Sequence, residues 1–168
     1  MSFLSSKRVL YLSALCTVIM FVIVMFFVNP LIDTENGIGV LKLQLAFSKE
    51  YAIGVVHLWG VDGVENFQKY IFTDYMYAFC YSLFFASLLS YLSRQRGKKL
   101  ASWVFYLPFI AGALDMLENS MEIAFLHGMD GFSDEVFFFH SLVATFKWMI
   151  LPIIVFYIFA LLKTKRVG

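Results

Sequence analysis

The chain is short of charge and of the residues that cross-link or interrupt a fold. Only 15% of its 168 residues are charged, two are cysteine and three are proline. Soluble domains carry about a quarter charged residues, so there is too little charge here to clothe a water-facing globular surface. The net charge of +1, from 13 basic and 12 acidic residues, removes the case for nucleic acid as a partner. Cys16 and Cys80 form no CxxC pair, which argues against a quinone-linked disulfide generator, and each reads as a small core residue. What the chain has in excess is apolar and aromatic side chains, 61% and 19%. Such a sequence does not stay solvated as a disordered chain. It reads as one small integral membrane domain over residues 1–168.

Four apolar stretches, residues 9–28, 70–92, 101–126 and 136–162, are long enough to cross a hydrocarbon core, which takes roughly 20 helical residues. Lys7 and Arg8 ahead of the first stretch imitate a secretory signal. The apolar run is too long for one, and Val28-Asn29-Pro30 offers no small-x-small cleavage site. The first stretch is therefore read as a retained helix that ends at Asn29-Pro30. Basic residues set the orientation. Lys7 and Arg8, then Arg94, Arg96, Lys98 and Lys99, then Lys163, Lys165 and Arg166 flank one side, whereas residues 127–135 carry Asp130, Asp134 and Glu135 and no Lys or Arg. This places both termini in the cytoplasm of a multi-pass inner-membrane protein. The expected fold class is all-α, a membrane four-helix bundle with a short external segment between helices 1 and 2.

That external segment covers residues 31–69. Residues 33–39 read as a turn-rich loop. Leu41, Leu43, Leu45 and Phe47 alternate with Lys42, Gln44 and Ala46, which suits a short strand in need of a partner, or equally the start of a helix. Ser48 is placed to cap a helix over residues 49–59, and Asp62 with Glu65 has capping-box spacing ahead of a helix running into the second span. Trp59 and nearby tyrosines suit a membrane–water boundary. The segment reads as a helix lying on the membrane surface, or as a lid or a docking surface for a homo-oligomer or a membrane-complex partner.

Ionisable side chains inside the spans carry the chemistry, because each costs ~2.5–3.5 kcal/mol at mid-membrane on insertion scales and normally faces the protein interior. Asp115, Glu118, Asn119 and Glu122 of the third stretch fall within an arc of about 100° of one helical face. His140 and Lys147 share a face of the fourth stretch. Asp74 shares a side of the second with Tyr77 and Tyr81. Asp115 and Lys147 lie equally far from the external ends of their stretches, which at ~1.5 Å per residue puts both roughly 16 Å deep. The expected arrangement has two layers: Lys147 with Asp115 and Glu118 near the midplane, and Asp74, Glu122 and His140 nearer the outside. Four carboxyls against one ammonium leave a surplus of negative charge that a low-dielectric site does not tolerate. Some carboxyls keep their proton, or a cationic group is bound, or water reaches the layer. A polar pocket open to the external side follows from any of the three. The plain reading, in which these groups only hold helices together by interhelical hydrogen bonds, fits Asn119, Ser13 or Thr17 taken singly. It does not require four carboxyls.

Pro108 and Pro152 lie within the third and fourth stretches and read as kinks. His140, Asp74 and Glu122, with His57 or His127, make a conceivable metal set, but no HExxH or similar spacing occurs and His140 is read as a structural residue, with no metal expected. No GxSxG elbow, Walker loop or GxGxxG fingerprint is present, and no cofactor is indicated. Inverted repeats are not visible, so a transporter of known type would have to oligomerise.

Gly37-Ile38, Leu45-Ala46, Trp59-Gly60, Asp74, Asp115-x-x-Glu118-Asn119 and Lys147 together resemble a group of small bacterial four-span inner-membrane proteins. The likeness spans most of residues 37–160. It implies the same topology and brings no activity with it. Three functions follow as expectations: binding or transport of a cation, an amine or a proton; an intramembrane enzyme acting on a lipid or isoprenoid; or a non-catalytic subunit that docks a partner through residues 31–69. Membrane lipids are the one partner common to all three.

Overall fold

The computed structural model describes residues 3–32 and 39–164. The loop expected at 33–38, the Gly37-Ile38 pair, and the basic residues Lys165 and Arg166 lie outside the described residues. Everything regular is helical: α1 (Lys7–Ile32), α2 (Gly39–Gln44), α3 (Lys49–Gln95), α4 (Leu107–His127) and α5 (Asp134–Lys163), with single 3₁₀ turns at Ser102–Phe105 and Met129–Gly131. α1, α3 and α5 are long and apolar enough to cross a membrane. α4 has 21 residues, but Asp115, Glu118 and Glu122 make it the most acidic of the long helices.

α1 does not stop at Asn29-Pro30 as expected; it continues to Ile32 through a widened π-type stretch at Ile23–Val28. Pro30 has no N–H to give and its ring crowds the carbonyl one turn back. A wider turn relieves both, and such bulges are the usual way a helix absorbs an inserted irregularity. The alternating residues 41–47 form no strand. Gly39–Gln44 is a short helix with Leu43 and Gln44 buried, because the segment packs on α3 and α1 rather than pairing along an edge.

Ser48 caps α3 as expected, extended at φ −145°, ψ 151°, and its hydroxyl accepts from the Tyr51 amide at 3.3 Å. α3 breaks once, at Gly60, whose φ of 64° and ψ of −174° lie where side chains with a Cβ are strained. The break folds residues 49–59 as an arm over one end of the bundle. Ala52, Val55 and Trp59 form its buried stripe at helical spacing, and Trp59 stacks on Phe67 at 5.5 Å between centroids. Leu43, Phe67, Phe125 and Phe137 complete that core. Burying each such side chain is worth ~1.5–3 kcal/mol. The start of the arm is tied down: the Lys49 amide donates to Asp134 Oδ1 at 2.7 Å, and Lys49 Nζ donates to the carbonyls of Asp130 and Phe132.

The long helices pack in the order α1, α3, α4, α5, with α3 also reaching α5. α3 and α4 approach closely at Gly112, where a Cβ would run into the Ser82 hydroxyl. Small residues at a helix crossing allow such backbone proximity. Pro108 does not kink a span. It occupies the first turn of α4, where the missing N–H has no intrahelical partner to lose, and the residues before it form the 3₁₀ turn. Pro152 does lie inside its helix, α5. Cys80 is half-buried, and Cys16 is exposed on the outer face of α1, so it is not the core residue expected.

Candidate functional site

α4 turns Pro108, Ala111, Gly112, Asp115, Glu118, Asn119, Glu122 and Phe125 inward, spacings of three and four that make a single buried stripe. α5 answers with Phe137, His140, Ser141, Ala144 and Lys147. The helical repeat alone puts the polar members of both stripes face to face. Glu118, Asn119, Glu122 and His140 are fully buried, and Asp115 and Lys147 nearly so; Asp74 on α3 is half-buried.

Lys147 lies at the centre. Its Nζ is 2.8 Å from Asp115 Oδ1 and 2.8 Å from Glu118 Oε2. The other oxygen of Asp115 accepts from the Tyr81 hydroxyl at 2.9 Å. The midplane layer expected from equal depth is thus one connected chain, Tyr81–Asp115–Lys147–Glu118. The outer trio does not assemble as expected. Asp74 accepts from Asn119 Nδ2 at 2.9 Å. Glu122 and His140 pair with each other, His140 Nε2 standing 3.4 Å from Glu122 Oε1. The reason is rotational: Asp74 sits on α3 and meets the Asn119 edge of the α4 stripe, whereas α5 meets the opposite edge. His57 is exposed, and exposed His127 contacts Gln68 through Nδ1 at 3.2 Å, so neither joins the cluster.

A partly open cavity of about 450 Å³ adjoins one part of this cluster only. Asp74, Asp115, Lys147 and Tyr81 line it; Glu118, Glu122 and His140 do not. Its walls are apolar, drawn from Val24, Met25 and Val28 of α1, Phe67 and Ile71 of α3, and Leu151 of α5. α1 packs on α3 rather than on α5, and the cavity fills the space that this leaves. No known protein family, curated protein or solved structure matches the chain. The site therefore has to be read from its own chemistry.

Two carboxylates and one ammonium on the cavity leave it one unit of negative charge, beside a wall of hydrocarbon. Behind it, Glu118, Glu122 and His140 are fully buried between α4 and α5. Phe125 stands edge-on to the His140 ring at 5.3 Å and stacks on Phe137 at 4.3 Å. Among the described residues, both carboxylate oxygens of Glu122, both ring nitrogens of His140 and Asn119 Oδ1 lack hydrogen-bond partners.

Several lining residues had no sequence signal of their own. The α1 wall carries no polar chemistry, and only the Pro30 that widens the helix above it marks the spot. Gln44, whose Oε1 accepts from Trp148 Nε1 at 3.4 Å, was indistinguishable from a surface glutamine in an alternating run. Ser141 was one hydroxyl among many, yet its Oγ accepts from the Phe47 amide at 2.9 Å and anchors the loop after α2.

Proposed function

We propose that this is a four-span membrane protein with both termini cytoplasmic, in which α4 crosses alongside α1, α3 and α5, and that its cavity binds an amphipathic monocation. At ~1.5 Å per residue a helix of 21 residues reaches about 31 Å, enough for a hydrocarbon core. Its carboxyls face protein rather than lipid. Lys7, Arg8, Arg94, Arg96, Lys98, Lys99 and Lys163 flank the same ends of these helices, and the positive-inside rule assigns those ends to the cytoplasm.

The observation that carries the binding reading is the pairing, in one cavity, of an apolar wall with a floor one negative charge in excess. An alkylammonium or an amine-bearing lipid meets both demands: its head sits between Asp74 and Asp115, and its tail covers Val24, Val28 and Ile71. The gap between α1 and α5 gives such a ligand a sideways route from the bilayer. A buried anion with an open cavity beside it is costly unless something cationic occupies the space.

A second reading has one observation in its favour. Tyr81, Asp115 and Lys147 form a hydrogen-bonded donor–acceptor chain at the cavity floor, the arrangement an intramembrane enzyme uses to move a proton on a lipid or isoprenoid.

Octylammonium and octanol, equal in tail and different in charge, separate these readings. In neutral detergent the protein's unfolding midpoint rises with octylammonium and not with octanol, by an amount equivalent to ~2.7 kcal/mol at a hundredfold excess over Kd. Asp74→Asn abolishes the rise. An equal response to both compounds, or an unchanged response in Asp74→Asn, contradicts the cation reading; turnover of an added lipid that stops in Tyr81→Phe establishes the enzyme.

A further inference from the structure

We propose that Glu118, Glu122 and His140 hold one divalent first-row transition-metal cation between α4 and α5, behind the cavity. One ligand atom from each of the three lies within 4.8 Å of the others. Glu118 and Glu122 are one turn apart on α4, and His140 comes from the facing helix, so the donors converge from two rigid elements rather than from loops. Three donors at ~2.0–2.2 Å from one ion stand about 3.3–3.8 Å apart. Rotamer adjustments of about 1 Å close the set.

Acidic side chains close together prove nothing by themselves. The deciding feature is His140. It is fully buried and its Nε2 stands 3.4 Å from Glu122 Oε1, yet among the described residues neither ring nitrogen has a hydrogen-bond partner. Buried polar groups are nearly always satisfied, and an imidazole left buried with both nitrogens idle needs a partner that the protein does not supply. Both oxygens of Glu122 are in the same position, and Glu118 turns only Oε2 towards Lys147, leaving Oε1 free for a second ligand.

Charge gives the valence. Lys147 is shared between Asp115 and Glu118, so with His140 neutral as a ligand must be, deprotonated Glu118 and Glu122 have only part of one ammonium to offset them. A dication offsets both carboxylates; a monocation does not. Donor type gives the class. Imidazole nitrogen with carboxylate oxygen suits zinc, manganese or ferrous iron and disfavours magnesium and calcium, which take oxygen alone. The three side chains are fully buried beside Phe125 and Phe137, so an ion held by them is trapped during folding and exchanges slowly. A structural ion is indicated, one that fixes α4 against α5 and keeps the acid cluster in register. The amine cavity uses none of the three residues, so the metal site and the proposed ligand stand or fall separately.

The experiment loads the metal in the cell. The full chain, expressed in cobalt-supplemented medium and purified in neutral detergent without chelator, is assayed for bound metals and for the visible d–d absorption of Co²⁺. The expected result is about one metal ion per chain with a d–d spectrum of mixed nitrogen and oxygen ligation. Glu122→Gln and His140→Asn each lower the metal content more than about tenfold, since even the loss of an outer hydrogen bond to a metal ligand costs ten- to a hundredfold, while Asp74→Asn retains it. The wild-type measurement decides the matter even where a variant fails to fold: protein that is monodisperse and carries no stoichiometric metal overturns the proposal. So does metal that stays bound in folded Glu122→Gln and His140→Asn.

Discussion

The two halves of the polar cluster both rest on carboxyls and differ in how those carboxyls are held. On the cavity side both oxygens of Asp115 are held, by Lys147 and Tyr81, and one oxygen of Asp74 is held by Asn119. On the buried side Glu122 and His140 face each other at 3.4 Å without a hydrogen bond, and neither finds one elsewhere among the described residues. The difference teaches how a membrane protein distributes excess charge. On the cavity side the polar groups hold one another across three helices; on the buried side Glu122 and His140 find no hydrogen bond among the described residues. Lys147 stands on the boundary, one ammonium shared by a carboxylate from each half.

Removing that shared ammonium is the strongest way to break the comparison. Lys147→Met strands Asp115 and Glu118 together in low dielectric, and loss of one partner from a buried ion pair typically costs ~3–5 kcal/mol. Unfolding in detergent, followed by the fluorescence of buried Trp59, is expected to show a loss of that size. A loss under about 1 kcal/mol would mean that the two carboxylates were never dependent on Lys147. A cut on the cavity side alone sharpens the contrast. Tyr81→Phe deletes the hydrogen bond to a charged Asp115 oxygen and is expected to cost ~1.5–3 kcal/mol; metal content is unaffected while octylammonium binding weakens. The smallest effect is expected from His57→Ala and His127→Ala, whose side chains are exposed and lie outside both halves. Changes within about ±0.5 kcal/mol and unaltered binding of either cation are predicted, and a loss of metal in either variant would relocate the site.

Much of this arrangement could be read from spacing. Three of the four apolar stretches fall within long helices, and the third, 101–126, begins six residues too early, because its first residues form the 3₁₀ turn ahead of α4. The α4 stripe follows from a 3.6-residue repeat, and the Asp115–Lys147 pair from equal depth. Ser48 announces its cap. What could not be read depends on rotation and on absent atoms. Period-two alternation over residues 41–47 left a strand and the start of a helix equally open; a six-residue helix exposes Leu41 and half-buries Lys42 while hiding Leu43 and Gln44, and tertiary packing chose it. Pro30 and Pro108 read as a stop and a kink; one is accommodated by a widened turn, the other by sitting in a first turn. The division of the acids was illegible for a further reason. Which edge of the α4 stripe faces α3 and which faces α5 is a matter of a few tens of degrees, less than a hydrophobic pattern resolves. That rotation sends Asp74 to Asn119, leaves His140 to Glu122, and so separates the groups that line the cavity from those buried behind it.

The most direct test of that separation is a crossed titration on metal-loaded protein, with octylammonium affinity and metal content measured in Asp74→Asn and in Glu122→Gln. Independent halves predict that Asp74→Asn keeps its metal and loses the amine, and that folded Glu122→Gln loses the metal and still takes the amine. Both cations disappearing from either folded variant, or neither responding to its own substitution, would show one undivided cluster and contradict the account.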